Sequence, residues 1–353
     1  MGRRMAEHIT ERVAGPLSEP LHERSDVRAS ALPADLLQEA RPVLMRGLVR
    51  HWPLVQAALQ SDLQFCDHLR GFASAGDTTK VGLWRGAPEI GGRFFYNADF
   101  DGFNYQREVG SLGTLLDELL ARSEESKPPA LYLGSTELEG SFPGLRQFND
   151  LGFGAQEAVA SLWLGNRARV AAHFDLPDNI VCVVAGRRRF TLFPPDQVRN
   201  LYVGPLDLTP AGQPISLVDV AQPDLVRFPR FAQALEHAHS VELMPGDALL
   251  IPSQWWHAVE ALEPVSALVN FWWRQSPAFM DSPLNSLMLA LMTLRDLPPA
   301  QRDAWRALFD HYVFDADPHT AAHIPAGARG VLDPITSDRA RQLRAVLLNR
   351  LNR

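Results

Sequence analysis

From Leu131 to Trp273 the chain is cut into short apolar stretches by Gly, Pro and Asp turns, and this rhythm constrains the fold more than any other feature. Stretches of that length bounded by turn formers build strands, not helices. Closely spaced, they predict an all-β barrel or a double-sheet jelly roll in which two packed sheets share a core. A doubly wound nucleotide-binding fold needs longer alternating helices and a glycine fingerprint, and the sequence holds neither.

Within that run, Ala172-His173-Phe174-Asp175 sits in a β-prone context, with Ser161 to Asn166 before it and Asn179 to Pro195 after it. Side chains alternate along a strand, so His173 and Asp175 can project the same way. A neutral imidazole and a carboxylate on one face make two thirds of a metal site. The third ligand must come from a distant strand, and His257 is its source, behind the turn and apolar strand of Pro245 to Pro252. Two His and one carboxylate cover one face of an octahedral ion and leave the opposite positions open, which suits non-haem Fe(II) taking up a cosubstrate and O2. Taken alone, His-x-Asp equally describes a hydrogen-bonded pair in a core. Zinc accepts similar donors, but structural zinc sites use four protein ligands, and no fourth is evident. His237 and His239, just before the strand at Val241, read as solvated surface histidines.

The order and spacing of His173 to Pro195, Gly246 to His257 and Asn270 to Trp272 closely resemble the JmjC-type, cupin-like 2-oxoglutarate oxygenases. The nearest likeness is the branch with the asparaginyl hydroxylase that inhibits hypoxia-inducible factor, and it runs from about Pro42 to Arg274. It implies a mainly β fold, a double-stranded β-helix core with an N-terminal α/β flank and C-terminal helices. It implies Fe(II) on His173, Asp175 and His257, with 2-oxoglutarate and O2 as cosubstrates. The family places a Lys two residues after the strand's glycine to hold the distal carboxylate of 2-oxoglutarate. Here Gly186 is followed by Arg187, Arg188 and Arg189, so Arg188 takes that position. A guanidinium is longer, permanently charged and bidentate, so it holds a carboxylate in a different geometry. The other reading of the triplet is a solvated edge or a phosphate-binding patch.

The same resemblance implies that the Tyr132 hydroxyl helps hold this carboxylate, while the matching family threonine is Val170 here. Asn179 and Asn270 are implied at the metal-chelating end of the cosubstrate; without the likeness each is a turn or strand-edge Asn. Trp272 matches an aromatic beside the substrate pocket, with a core role as the alternative. Asp247, in Pro-Gly-Asp, reads as a turn residue. The implied activity is hydroxylation of a protein side chain coupled to decarboxylation of 2-oxoglutarate to succinate, with tRNA or a small metabolite as alternative substrates. A metal-dependent cupin isomerase or hydrolase, and a cupin-like binding module without turnover, also remain open.

With 46% hydrophobic and 21% charged residues among 353, the chain reads as a globular protein. A net charge of −7 argues against nucleic-acid binding through overall charge. Cys66 and Cys182 form no CxxC pair, so neither a disulfide framework nor a structural zinc site is expected. No apolar run reaches membrane-spanning length, and no signal-type segment follows the first residues, which makes the cytoplasm the expected location.

The expected organisation is a polar arm at 1–30, an oxygenase domain at 31–275 and a helical region at 276–353. Before the strand series come a short helix at Leu32 to Glu39, a strand after Pro42 and helices from Trp52 and from Ser61. A strand at Lys80 to Trp84 follows, then a helix capped by Ser111. The aromatic-rich segment Gly92 to Tyr105 reads either as core or as the mouth of a pocket. The long segment from Gln197 to Ser240 is, by resemblance, one that shapes the substrate site. Near the end, Leu284, Leu287, Met288, Leu291 and Met292 form a helical stripe, as do Trp305, Leu308, Phe309 and Tyr312. Ser337 is read as the cap of the last helix. This region is either an appendage packed on the barrel or, by resemblance, a homodimerisation bundle.

Overall fold

Period-two alternation in the strand series produces two sheets that share one core. The computed structural model describes residues 20–73 and 79–352. In chain order the strands are β1 (His22–Glu23), β2 (Val43–Met45), β3 (Lys80–Gly86), β4 (Arg93–Phe94), β5 (Tyr105–Ser111), β6 (Ala130–Glu137) and β7 (Val159–Gly165). They continue as β8 (Arg169–His173), β9 (Asp178–Ala185), β10 (Arg188–Phe193), β11 (His239–Leu243), β12 (Ala248–Ile251), β13 (Trp256–Ala261) and β14 (Ser266–Trp273). A nine-stranded sheet runs β1-β2-β12-β9-β14-β7-β6-β3-β5, and a five-stranded sheet runs β11-β10-β13-β8-β4. The architecture is the jelly roll expected from the sequence.

The inner faces meet through Val181, Val183, Leu249 and Leu268 from the large sheet and Phe190, Leu192, Leu243 and Val259 from the small one. The outer face of the large sheet is covered by α1 (Pro53–Gln60), α2 (Asp62–Arg70) and α3 (Leu112–Ala121). Leu54, Phe65, Leu69, Leu115 and Leu119 pack there with Ile180, Cys182, Val184 and Phe271. Buried on both faces, β9 has no exposed residue, which is why its stretch from Ile180 to Ala185 reads as an unbroken apolar run. Ser111 accepts the Thr114 N–H and caps α3 as expected, and Ser61 accepts the Gln64 N–H and caps α2. On the small sheet's outer face, Ala172, Phe193, Trp256 and Ala258 pack under the segment that ends in α4 (Phe231–Glu236).

Several expectations resolve differently. Leu32 to Glu39 forms only a 3-10 turn at Leu36–Gln38, without a side-chain cap. So short a helix does not propagate unaided, and Pro42 pushes the chain before it toward extended backbone. Residues 1–19 of the expected arm lie outside the described residues, and its end pairs in parallel with β2 through His22 and Glu23. The aromatic segment is core: Phe94 and Tyr105 are buried with Tyr132 and Trp84 packed against them.

Contacts divide the chain after Arg274. The second unit carries α5 (Pro283–Thr293), α6 (Pro299–Phe309) and α7 (Ser337–Leu351), and none of the three contains a buried residue. The cap of α7 is Thr336, whose hydroxyl accepts the Arg339 N–H, not Ser337, which is already helical. Among the described residues no helix is long and apolar enough to cross a membrane.

Candidate active site

His173 ends β8 and faces His257 directly across the antiparallel β8–β13 ladder. Beyond this pair β13 advances two residues, to Val259, while β8 goes back three, to Val170. The extra residue is a bulge, which re-aims side chains on the strand that carries it. Val170 and His173 thereby both face the inter-sheet cavity, while Ala172 packs on the outer face with Trp256. Asp175 lies on the crossing from β8 in the small sheet to β9 in the large one. The ligand atoms of His173, Asp175 and His257 lie within 4.8 Å of one another, the only such group among the described residues.

Both imidazoles are oriented from behind. The Nδ1 of His173 lies 2.9 Å from the Ala171 carbonyl, and that of His257 lies 3.0 Å from the Trp255 carbonyl. A carbonyl only accepts, so each Nδ1 carries the proton and each Nε2 keeps its lone pair for an ion. Burial, helped by the neighbouring His173, pulls the His257 pKa down to about 4 against the pull of Asp175. The ring is therefore neutral near pH 7 and ready to ligate. With two nitrogens and one carboxylate converging and no fourth protein donor among the described residues, the set fits an Fe(II) centre open on one side better than a closed zinc site.

Asp175 is held by an ordered line of side chains. Its Oδ2 accepts from Asn179 Nδ2 at 3.0 Å and from Trp272 Nε1 at 3.2 Å. Asn179 Oδ1 accepts from Asn270 Nδ2 at 3.2 Å, and Asn270 Oδ1 accepts from Trp163 Nε1 at 2.7 Å. The expected cofactor residues Asn179 and Asn270 thus line the cavity, Asn179 with its amide on the Asp175 carboxylate and Asn270 with its amide between Asn179 and Trp163. Trp272 lines it too, bonded to the same oxygen.

A cavity of about 370 Å³ between the sheets takes in the three candidate ligands together with Tyr132, Asn179, Arg188, Asn270 and Trp272. The triplet after Gly186 divides by strand alternation. Arg187 and Arg189 point outward into ion pairs with Glu242, Glu260 and Glu263. Arg188 points inward and is 2% exposed. Gly186 permits this tight entry to β10: its φ is +63°, and a Cβ would meet the Val265 carbonyl oxygen at 2.5 Å.

No carboxylate pairs with Arg188 among the described residues. Its Nε donates to Ser266 Oγ and its Nη2 to the Ser266 carbonyl, each at 3.0 Å. The Trp163 carbonyl, at 3.5 Å from Nη2, and the Tyr132 hydroxyl are its other partners. Burial lowers the Arg188 pKa and raises that of Tyr132. A guanidinium remains charged regardless, so an apolar chamber walled by Val170, Val181, Phe190, Val259 and Leu268 contains one cation with neutral partners only.

The segment Gln197 to Ser240 reaches the cavity through Ala211 and Gln213. His237 is exposed and His239 is half-buried in β11, its ring 6.2 Å from Trp255; neither joins a metal group. Asp247 is a turn residue, accepting from Arg46 and from the backbone of Gly47 and Met244. Sequence reasoning missed Trp163 and Ser266. The available signal was position: Ser266 shares β14 and its side-chain alternation with Asn270 and Trp272, and Trp163 lies on β7 beside it.

A family model for the cupin-like domain matches residues 29–279. HSPB1-associated protein 1 of Homo sapiens is 38% identical over 129 residues, covering 36% of this chain and 26% of that protein. Lysine-specific demethylase 8 of Danio rerio is 28% identical over 249 residues, covering 68% of this chain and 55% of the relative. The tRNA wybutosine-synthesizing protein 5 of Danio rerio is 26% identical over 231 residues, covering 53% and 65%. The chain thus spans about a quarter of HSPB1-associated protein 1 and about half of the demethylase.

Proposed function

The chain belongs to the cupin-like, JmjC-type family, and we propose that within it the protein is an Fe(II)- and 2-oxoglutarate-dependent dioxygenase that hydroxylates a protein side chain. The observation that carries the reading is Arg188, a buried guanidinium without a carboxylate partner among the described residues, in the same cavity as the His-Asp-His group. A buried cation of this kind is costly unless an anion arrives to meet it. A dicarboxylate spanning apolar walls, with one end at Arg188 and the other at a metal, meets both requirements. The isomerase or hydrolase reading gives Arg188 no task.

In this assignment His173, Asp175 and His257 hold the iron, each imidazole through Nε2. Fe(II) with 2-oxoglutarate, when bound, supplies oxygen activation coupled to release of succinate and CO2. Arg188 and the Tyr132 hydroxyl hold the distal carboxylate of 2-oxoglutarate. Val170, whose methyl groups replace the family's hydroxyl, adds only apolar wall, and the guanidinium compensates with more donors. Asn179 and Asn270 keep the Asp175 carboxylate aimed, and the apolar walls exclude water from the reacting atoms. Trp272, Ala211 and Gln213 border the space left for the substrate.

A protein substrate is supported by the kinship with HSPB1-associated protein 1 and with lysine-specific demethylases. The kinship with the wybutosine-synthesizing protein favours tRNA, and the net charge of −7 weighs against it. A homodimer through the C-terminal helices is part of the proposal, supported by exposed Leu287, Met288, Trp305 and Leu348 on α5 to α7; sedimentation as a monomer in analytical ultracentrifugation would remove it. The main test is succinate release with peptide, tRNA and metabolite pools, comparing wild type with His173→Ala and Arg188→Ala. Release only from wild type supports the reading. Equal Fe(II)-dependent release from wild type and His173→Ala ends it.

A further inference from the structure

Trp163 stands three hydrogen bonds away from the metal-binding carboxylate and fixes the far end of the line that connects them. An indole N–H donates and cannot accept. Its 2.7 Å contact with Asn270 therefore fixes the Asn270 oxygen toward β7 and turns Nδ2 onto Asn179 Oδ1. Asn179, with its oxygen taken, has Nδ2 left for Asp175 Oδ2. The register makes this possible: Trp163 lies opposite Leu268 and Trp272 lies opposite Asn179. Trp163, Asn270 and Asn179 are thus diagonal neighbours on one face of three adjacent strands, within reach of long side chains.

We propose that Trp163 is a positioning residue for the metal centre, acting on Asp175 through Asn270 and Asn179. The inference rests on the metal reading above. Without the indole N–H, the orientation of both amides rests on the Asp175 carboxylate alone, and the far end of the line is left unheld. Reversed together, they bring Asn179 Oδ1 against the Asp175 carboxylate, acceptor to acceptor, and the carboxylate swings on its remaining bond from Trp272. Packing does not require the nitrogen: the Trp163 ring centroid lies 6.1 Å from that of Tyr132, tilted, and 5.8 Å from that of Trp272, edge to face, contacts that a phenyl ring largely keeps. Trp163→Phe therefore isolates the N–H.

The test uses Co(II) alone as probe, with affinity and d–d absorption read together and thermal midpoints measured alongside. Removing a partner that orients a metal ligand costs about 10–100-fold in metal affinity. That loss, with shifted d–d bands, is expected for Trp163→Phe. Asn270→Ala, which cuts the same line while keeping the indole, should lose as much, so the proposal does not depend on one variant folding. Because the line acts as a unit, the double variant should bind no more weakly than the weaker single one. Wild-type affinity and spectrum in Trp163→Phe, or losses that multiply in the double variant, overturn the proposal while leaving the metal reading intact. A wild-type chain that binds no Co(II), or binds it equally after His173→Ala, overturns both.

Discussion

The two ends of the cavity are built on opposite principles. At the metal end each polar side chain is answered by another: the imidazoles by carbonyls behind them, Asp175 by an amide and an indole, the amides by each other. At the other end Arg188 is pinned by Ser266 and Tyr132, neutral groups that leave its charge unbalanced. The contrast teaches that one end is organised before any ligand arrives, and that the other is completed by the ligand's own charge.

The sharpest way to break this comparison is His173→Ala, which should abolish metal binding and lower succinate release by at least about 100-fold. Metal removal by a chelator should do the same reversibly. Next comes Arg188→Met. If the guanidinium only awaits an anion, its loss should raise the half-saturating 2-oxoglutarate concentration by about 100-fold or more. The stability of the metal-free protein, read from urea midpoints, should change by no more than about 1–2 kcal/mol in either direction. A large destabilisation would place Arg188 among structural residues instead.

A pH series sharpens the metal end. The folded-state pKa of His257 is depressed from 6.5 to about 4, so the unfolded chain takes up this proton first. Stability from the buried neutral ring is fully present above pH 6.5 and is lost as pH falls toward 4. The urea midpoint of the metal-free protein should fall across that window, and His257→Gln should flatten the slope. The smallest effects belong to Arg187→Ala and Arg189→Ala. Both side chains make partly exposed ion pairs, so stability should change by about 1 kcal/mol or less and 2-oxoglutarate binding should not change.

Much of this was legible because strands alternate. Arg188 separates from its two neighbours by a period that can be counted along the chain, whereas Asp175 lies past the end of β8 and joins His173 and His257 through the crossing to β9 and the β8–β13 register, not through alternation. Other features depend on partners that the sequence does not name. The β8 bulge exists only relative to β13, so the shared aim of Val170 and His173, three residues apart, cannot be counted. Trp163 reaches Asn270 along a diagonal set by register, and Ser266 meets Arg188 from a strand nearly eighty positions later. Thr336 and Ser337 are equally good caps by chemistry, and only the backbone chooses between them.

The placement of Asp175 on the crossing between sheets has a mechanical consequence. An ion gripped by β8, by β13 and by that crossing fastens the two halves of the sandwich where the chain passes from one to the other. Prising the halves apart then requires surrendering the ion, so loading the centre should raise the melting midpoint in step with metal concentration.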